Sequence, residues 1–458
     1  MDVVRLAGVC DRCSEALRIS KRAVQPLKGF RELSPEDFVK KKKIVERSRE
    51  LFRLYGYEEV EIPTVEPSAL IELKSGEEIR HRMFRFKDLG GRGVVLRPEG
   101  TPSVARYVVT KLKGKPLPVR LSYVANMFRY DEPQRGRFRE FTHVGFELFG
   151  SSNPLADMEI LEITSVLLSG LGFVDFEAKI GDQGTLRAVL AKFGIRGSLQ
   201  DRLLGMIDRN EEKEISRALR KGRPGLAKLM KELTSVREND VEKAFDKADN
   251  LVRGIPEAVQ SLARFRELVN YANAVTGGKV MVDFGFARGI EYYTGMVFEV
   301  YVKGLNVAVA GGGRYDDLCS LFGADIPAVG VAVGVDRLAL GDEFPKIELS
   351  PPVAIVLLLD QGLIEYGASV ARELRSNGVP TLFDLSTGSL SSRLEKAAKR
   401  QSRFAVLIGQ RETKDRTVTV KDLATGMQQL LPFDGVSQFV RQELSSVRPR
   451  KGSGPGGI

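Results

Sequence analysis

Cysteine and histidine are scarce in this chain: its 458 residues include three of the first and two of the second. Three thiols cannot build a disulfide framework, which excludes the small stapled secreted scaffolds and points to a reducing compartment. Cys10 and Cys13 form a lone CxxC, but tetrahedral zinc needs four ligands. The remaining candidates by type, Cys319, His81 and His143, stand far away in sequence, so no metal site is expected. No apolar run approaches the length of about 18 residues that spans a bilayer. The first residues lack a signal-peptide core, and Asp2, Asp11 and Glu15 argue against a transit peptide. A cytoplasmic protein is the expectation.

What is present is an ordinary globular balance, 43% hydrophobic and 28% charged. Lysine and arginine outnumber the acids 70 to 60, and the pI near 9.3 suits a polyanionic partner. The length exceeds one hydrophobic core, so two to four domains are expected at roughly 100–200 residues each.

Residues 1–27 read as an N-terminal extension. KGFRELSPED (Lys28 to Asp37) leads through Ser34 and Pro35 into a helix over Asp37 to Tyr55 that ends at Gly56. Strands follow at Glu58 to Ile62, Met83 to Lys87, Val94 to Arg97, Val119 to Phe128 and Phe138 to Phe149, the DLGGRG turn marking a hairpin. With helices over Thr101 to Lys113 and Ala156 to Leu171, residues 28–183 make the first part of an α/β (α+β) core, an antiparallel sheet flanked by helices. From 184 to 277 the sequence turns charged and helix-forming, a helical insertion. Strand patterns return at Lys279 to Phe284, Gly295 to Val302, Asn306 to Ala310 and Gly330 to Val333, completing the core over 278–345. Pro345, Pro351 and Pro352 mark a linker. Residues 352–445 read β-α-β-α-β, then a hairpin and a helix, hence a small mixed sheet with right-handed crossovers; residues 446–458 are an expected disordered tail.

Several segments carry side chains suited to chemistry. ARGIEYYTGMVFEV (Ala287 to Val300) sets Arg288 beside Tyr292 and Tyr293 at the foot of a strand. Arginine can hold a carboxylate or phosphate, and a buried phenol wants a hydrogen-bond partner; an ordinary hairpin with surface tyrosines is the plain alternative. Met127 to Gly150 gathers Arg129, Arg135, Arg137 and Arg139 around a Pro-Gln-Arg-Gly turn, where mutual repulsion would be relieved by a nucleotide phosphate or, in a solvated hairpin, by water. LRPEGTP offers Glu99 and Thr101, an acceptor and a hydroxyl that suit an ammonium group or a structural turn. GVDRL places Arg337 after a glycine-rich strand, at the start of a helix. Gly311 to Gly313, in GGGRYD, are either a tight turn or a place where backbone approaches a ligand closely.

The order and content of these segments resemble the class II aminoacyl-tRNA synthetases and, within them, the histidyl-tRNA synthetase family. Val60 to Pro67, Met127 to Gly150 and Ala328 to Leu340 look like the three class motifs; RGIEYYTGMVFE and AGGGRYDDL look like the two signatures peculiar to the histidine enzymes. The resemblance spans roughly residues 26–445 and implies a C-terminal anticodon-binding domain, ATP with Mg2+, L-histidine and tRNA(His) as ligands, and a homodimer.

Carried over residue by residue, it implies that Arg129 contacts the ATP α-phosphate, Arg137 and Arg337 the outer phosphates, and Phe141 and Arg337 the two faces of adenine. Glu99 and Thr101 would hold the amino group of histidine, Glu147 and Tyr293 its imidazole nitrogens, with Tyr292, Gly311 and Gly312 in the same pocket. Arg288 would bridge carboxylate and α-phosphate. Asp131, followed by Glu132, stands where the family has a glutamate that reads the adenine amino group, and either acid could serve. His143 replaces a glutamine near the substrate ammonium. Gln134 and Arg135 are candidates for the tRNA acceptor end, and Arg393, Lys396, Lys399, Arg400 and Arg403 for the anticodon stem. The insertion is read as an RNA contact, since a pocket built on polar complementarity needs no editing site. The rival readings are a synthetase-like, histidine-binding regulatory subunit of ATP phosphoribosyltransferase and a tRNA-sensing module.

Overall fold

The structure, a computed structural model, describes residues 25–446 except 73–76, 210, 220–223, 288–291 and 346–351. Cys10, Cys13, Arg288 and the C-terminal tail therefore lie outside the described residues. Among the described residues no helix is long and apolar enough to cross a membrane. Contacts divide the chain into two compact units, residues 1–347 and 348–458.

The strands of the first unit are, in chain order, β1 (Glu58–Glu59), β2 (Val65–Pro67), β3 (Arg85–Lys87), β4 (Gly93–Leu96), β5 (Val119–Phe128), β6 (Glu140–Phe149), β7 (Phe176–Asp182), β8 (Arg237–Glu238), β9 (Val280–Asp283), β10 (Met296–Val302), β11 (Ala310–Arg314) and β12 (Ala328–Gly334). Nine of these form one sheet in the order β1-β5-β6-β12-β11-β10-β7-β9-β8. It is antiparallel except at the β1–β5 and β7–β9 pairs. The hairpin of β3 and β4 does not join it, as expected from sequence, but pairs with β2 in a separate three-stranded sheet.

Helix Pro35–Leu54 begins where the sequence says it must. Ser34 accepts a hydrogen bond from the Asp37 amide at 3.2 Å, Pro35 occupies the first turn, and Gly56 takes a positive φ of 72° just past the end. Its buried stripe, Ile44, Leu51 and Phe52, packs on one face of the large sheet with Val144, Phe146 and Leu148 of β6 and Phe298 and Val300 of β10. Helix Pro154–Gly170 covers the same face through Ile160, Ile163 and Leu167. The 184–277 segment is helical as expected, from Gln183–Lys192 to Pro256–Val275, and adds the two-residue edge strand β8. Leu186, Phe245 and Phe265 of that segment belong to the same buried cluster.

Alternation gives the opposite face a different character. Reading across the strands, one register runs Leu121, Glu147, Gly330, Gly313, Val297, and the next Tyr123, Gly145, Ala332, Gly311, Glu299; a third pairs Ala125, His143 and Gly334. Small residues in neighbouring strands leave a trough there, from which Tyr123, His143, Glu147 and Glu299 project.

The strand expected over Asn306 to Ala310 is instead irregular backbone, and β11 is the glycine run itself. Close packing decides this: a Cβ on Gly312 would lie 2.1 Å from the Gly330 carbonyl oxygen, and one on Gly313 2.4 Å from that of Met296. The run is neither a tight turn nor a loop. Strand β7 escaped the sequence reading although its alternation is plain, with Phe176, Ala178 and Ile180 buried.

In the second unit, β13 (Ala354–Leu358), β14 (Thr381–Phe383), β15 (Phe404–Ile408), β16 (Thr417–Asp422) and β17 (Gln428–Pro432) form a sheet in the order β14-β13-β15-β16-β17. The first three are parallel and the last two antiparallel additions. Helices Ile364–Ser376, Leu390–Lys399 and Val436–Ser446 complete the expected mixed sheet, together with a short helix, Gln410–Asp415, that had not been anticipated.

Candidate active site

Two cavities open on the trough. The smaller, about 80 Å³, is lined by Glu99, Thr101, His143, Tyr292, Tyr293 and Tyr315, among others, with the backbone of Gly311 and Gly312. By the measure of roughly 10–15 Å³ per water it holds a few waters or the head of a small ligand. Directly behind its wall lies Glu147, 1% exposed. Thr101, in the first turn of helix Thr101–Lys111, donates its hydroxyl to Glu147 Oε1 at 2.7 Å, and the Tyr315 phenol donates to Oε2. The carboxylate fits only because residue 330 is glycine, since a Cβ there would stand 1.9 Å from Oε2. Burial pushes the Glu147 carboxyl up to about 8, helped by the nearby Glu99 charge and opposed by the two hydroxyl bonds. Folded, the carboxyl therefore keeps its proton through neutral pH. Glu99 accepts from the Tyr292 hydroxyl at 2.7 Å, and burial and that carboxylate drive the phenol far above its ordinary range. Tyr293 stacks beside Tyr292, ring centroids 5.1 Å apart.

The larger cavity, about 660 Å³, shares Arg129, Glu299, Ala308 and Arg337 with the smaller one and adds Arg82, Asp131 and Arg137. Its size falls in the range of about 300–1,000 Å³ usual for cofactor and nucleotide pockets. Each key cation is held by backbone: Arg129 Nε donates to the Pro98 carbonyl at 2.8 Å, and Arg337 donates to the carbonyls of Gly136 at 2.9 Å and Ala308 at 2.7 Å. Burial lowers Arg337 to about 10, with the positive charges of Arg129 and Arg137 adding to the effect. Three guanidinium groups that repel one another around a cavity are a site for a polyanion.

The remaining expected residues sort by contact. Of the two acids, Asp131 lines the larger cavity and meets Arg82 at 3.3 Å, while Glu132 is exposed and pairs with Lys28 at 3.0 Å. Phe141 lines neither cavity; it lies under Arg129, 5.4 Å from guanidinium to ring, and against His143. Arg139 is buried, stacked on Tyr130 at 3.6 Å and bonded to the Asp131 carbonyl. Gln134 and Arg135 sit exposed on the hairpin turn, Arg135 paired with Asp342 at 3.3 Å. In the second unit Arg393 is committed to Asp384 and to the Leu358 carbonyl, whereas Arg400 is exposed at the end of helix Leu390–Lys399. Arg393 is thus a structural ion pair rather than a free surface cation.

Sequence reasoning gave no role to Tyr315 or Gly330. Both were legible in part: Tyr315 lies within GGGRYD, and Gly330 interrupts a valine-rich strand, the mark of a close approach. Its neighbour Arg314 is structural, gripping buried Asp157 at 2.5 Å.

A nine-stranded, largely antiparallel sheet bearing an arginine hairpin, with a separate mixed-sheet unit after it, is the arrangement of a class II aminoacyl-tRNA synthetase. The family model for histidyl-tRNA synthetase matches residues 29–338, and that for the anticodon binding domain residues 353–443. The histidine–tRNA ligase of Methanocaldococcus jannaschii is 35% identical over 418 residues, 91% of this chain and 99% of that protein. That of Sulfurisphaera tokodaii is 35% identical over 424 residues, covering 91% and 99%. The chain belongs to the histidyl-tRNA synthetase family. Among solved structures, an ATP phosphoribosyltransferase regulatory subunit/histidyl-tRNA synthetase from Bacillus halodurans C superposes with a TM-score of 0.70 at 26% identity, over 84% of this chain and 98% of that one. Histidyl-tRNA synthetase from Nostoc sp. PCC 7120 shares the fold, with a TM-score of 0.69 at 20% identity over 92% and 99%.

Proposed function

We propose that this protein activates L-histidine with ATP and transfers it to the 3′ end of tRNA(His). The observation that carries the reading is the junction of the two cavities at Arg129 and Arg337, with Glu147 buried directly behind Thr101 and Tyr315 of the smaller cavity's wall. Histidine enters the small cavity, where Glu147 and Tyr293 bond the two imidazole nitrogens and Glu99 and Thr101 face the ammonium. His143 borders the same cavity; as a neutral imidazole it accepts a hydrogen bond, and when protonated it repels the ammonium. ATP lies in the larger cavity with Arg129 at the α-phosphate and Arg137 and Arg337 at the outer phosphates, Asp131 reading the adenine edge.

In the first step a histidine carboxylate oxygen attacks the α-phosphorus and the bond to the β-phosphate bridge oxygen breaks, giving histidyl-adenylate and pyrophosphate. In-line transfer of this kind needs alignment and charge neutralisation more than covalent help. Arg129 supplies both, joined by Arg288, which lies outside the described residues. Mg2+ supplies further neutralisation of the phosphates when bound. Among the described residues no cluster of three or more His, Cys, Asp or Glu side chains could hold a metal by itself. The residues fit a magnesium that the nucleotide would mainly carry, with Glu299, on the wall shared by the two cavities, as the carboxylate that would face it. In the second step the terminal ribose hydroxyl attacks the carbonyl carbon, AMP leaves, and a phosphate oxygen of the adenylate takes the hydroxyl proton. Gln134 and Arg135 meet the acceptor end, the 184–277 segment contacts the RNA, and Arg400 meets the anticodon stem. A cytoplasmic homodimer completes the reading.

The regulatory-subunit alternative draws on the double title of the Bacillus halodurans protein. Against it stand the arginines Arg129, Arg137 and Arg337 together and the anticodon-binding match over 353–443. Histidine-dependent exchange of labelled pyrophosphate into ATP decides: a ligase performs it, and its absence with correctly folded protein would refute the proposal.

A further inference from the structure

The segment Lys28–Arg31 is an N-terminal strap whose every residue grips the arginine hairpin or its support. Lys28 pairs with Glu132 at 3.0 Å. The Gly29 carbonyl accepts from the Arg139 amide at 2.9 Å, and the Arg139 carbonyl in turn accepts from the Arg129 amide at 3.0 Å. Gly29 has φ +89°, and a Cβ there would stand 2.6 Å from Arg139 Cγ, so glycine is what lets the strap lie this close. The Phe30 ring meets Phe84 edge-on at 5.9 Å, and Phe84 meets Tyr130 at 5.2 Å. Arg31 covers the Phe138 ring at 3.2 Å and donates to Asp336 at 2.6 Å.

Asp336 is the second anchor. It is 5% exposed, and its carboxylate also accepts from the Thr142 amide of β6 at 2.6 Å and pairs with Lys41 at 3.4 Å. It directly precedes Arg337 in the short helix Val335–Leu338. Two routes therefore leave the strap: a backbone route through Arg139 to Arg129, and an ionic route through Asp336 to Arg337. The first reaches the main chain of Arg129 and the second the residue next to Arg337, and the guanidinium groups of these two arginines are the ones assigned above to the ATP phosphates.

The geometry points to Gly29 and Arg31, anchored through Arg139 and Asp336, as a device that sets the phosphate-binding arginines, with Arg31, Gly29 and Asp336 as positioning residues for ATP; the exposed Lys28–Glu132 pair is not part of it. None of the three lines either cavity. Their effect falls chiefly on nucleotide binding: the smaller cavity shares Arg129 and Arg337, but its Thr101–Glu147 and Tyr292–Glu99 contacts are made without the strap. This inference rests on the proposed assignment of the larger cavity to ATP.

The test uses the full chain with Arg31→Ala, Arg31→Lys and, as an exposed control, Lys28→Ala. ATP affinity is read by calorimetry, KM for ATP and for histidine by pyrophosphate exchange, and folding by thermal melting. Losing one charge-assisted bond to a buried carboxylate is expected to weaken ATP about ten-fold in Arg31→Ala. The histidine KM should stay within about two-fold, and Lys28→Ala should resemble the parent, as exposed pairs do. Arg31→Lys should recover part of the loss, because it keeps the charge but not the flat stack on Phe138. Gly29→Ala, which disturbs only the backbone route, should show the same ATP-selective shift and serves if Arg31→Ala does not fold. Unchanged ATP affinity, or equal loss for ATP and histidine in step with a lowered melting temperature, overturns the inference. Calorimetry separates the two levels of the claim: a parent protein that binds ATP without histidine-dependent exchange sinks the proposed function alone, and one that binds no ATP sinks both.

Discussion

Glu147→Gln should make the empty protein more stable and the enzyme worse. The carboxyl is buried and titrates near 8 instead of its ordinary 4.5. A raised carboxyl means that the folded state keeps a proton the unfolded chain has already lost, so stability falls as pH rises from about 4.5 to about 8, and the loss is complete above that window. At about 1.36 kcal/mol per pH unit the penalty is on the order of 5 kcal/mol. Glutamine has the same shape and no charge; one of the two hydroxyls, Thr101 or Tyr315, must turn to accept from its amide. Denaturant unfolding followed by circular dichroism should find little difference at pH 5 and a growing advantage for the variant towards pH 9. In the same variant kcat/KM for histidine in pyrophosphate exchange near neutral pH should fall about 3- to 10-fold, the worth of one hydrogen bond to a neutral acid. A stability difference that is flat across pH 5 to 9, or that favours the parent at high pH, would refute the reasoning.

Other outcomes follow from single contacts. Gly330→Ala puts a methyl group 1.9 Å from Glu147 Oε2 and should raise the histidine KM by more than about 10-fold, at a cost of about 1–3 kcal/mol in stability; a normal KM would show that Glu147 does not face the ligand. Arg337→Ala should raise the ATP KM on the order of 10- to 100-fold with the histidine KM little changed, measured by the same exchange. Asp157→Asn removes the shortest ion pair of the buried Arg314 guanidinium, leaving it Asp316 and the Ser151 and Asn153 carbonyls, and should cost about 1–3 kcal/mol in unfolding experiments, with normal activity in the molecules that remain folded. In the second unit, Arg400→Ala should weaken tRNA in aminoacylation and leave exchange untouched. Arg393→Ala should chiefly lower stability, because its partner Asp384 is left buried and unpaired.

Long, alternating strands were legible in the sequence to the residue: β5 and β17 occupy the ranges their patterns mark. Strand β11 was not, because three glycines carry no alternation and their extended form is imposed by Gly330 and Met296 on either side. The β2-β4-β3 sheet was misplaced for a related reason, since a hairpin pattern says which strands pair and not which sheet they enter. At the site, the signatures named Glu99, Thr101, Tyr292, Tyr293, Arg129, Asp131, Arg137 and Arg337, all of which line one of the two joined cavities, and Glu147, which stands one residue behind the wall, bonded to Thr101 and Tyr315. Phe141 and Arg393 looked equally available in sequence. Only the fold reveals that Phe141 is turned beneath Arg129 and that Arg393 already has an acid. The buried position of Glu147 depends on Tyr315, Thr101 and Gly330, which are 168, 46 and 183 residues away in sequence and meet it only across the sheet and the first turn of a helix.

A crystal structure of the full chain with histidine and ATP bound tests the central claim most directly. The account predicts an imidazole nitrogen within hydrogen-bond distance of the Glu147 carboxyl and the α-phosphate beside Arg129, with Arg337 on the nucleotide in the joined cavity. Histidine found away from Glu147, or a nucleotide bound where neither Arg129 nor Arg337 touches it, would contradict it.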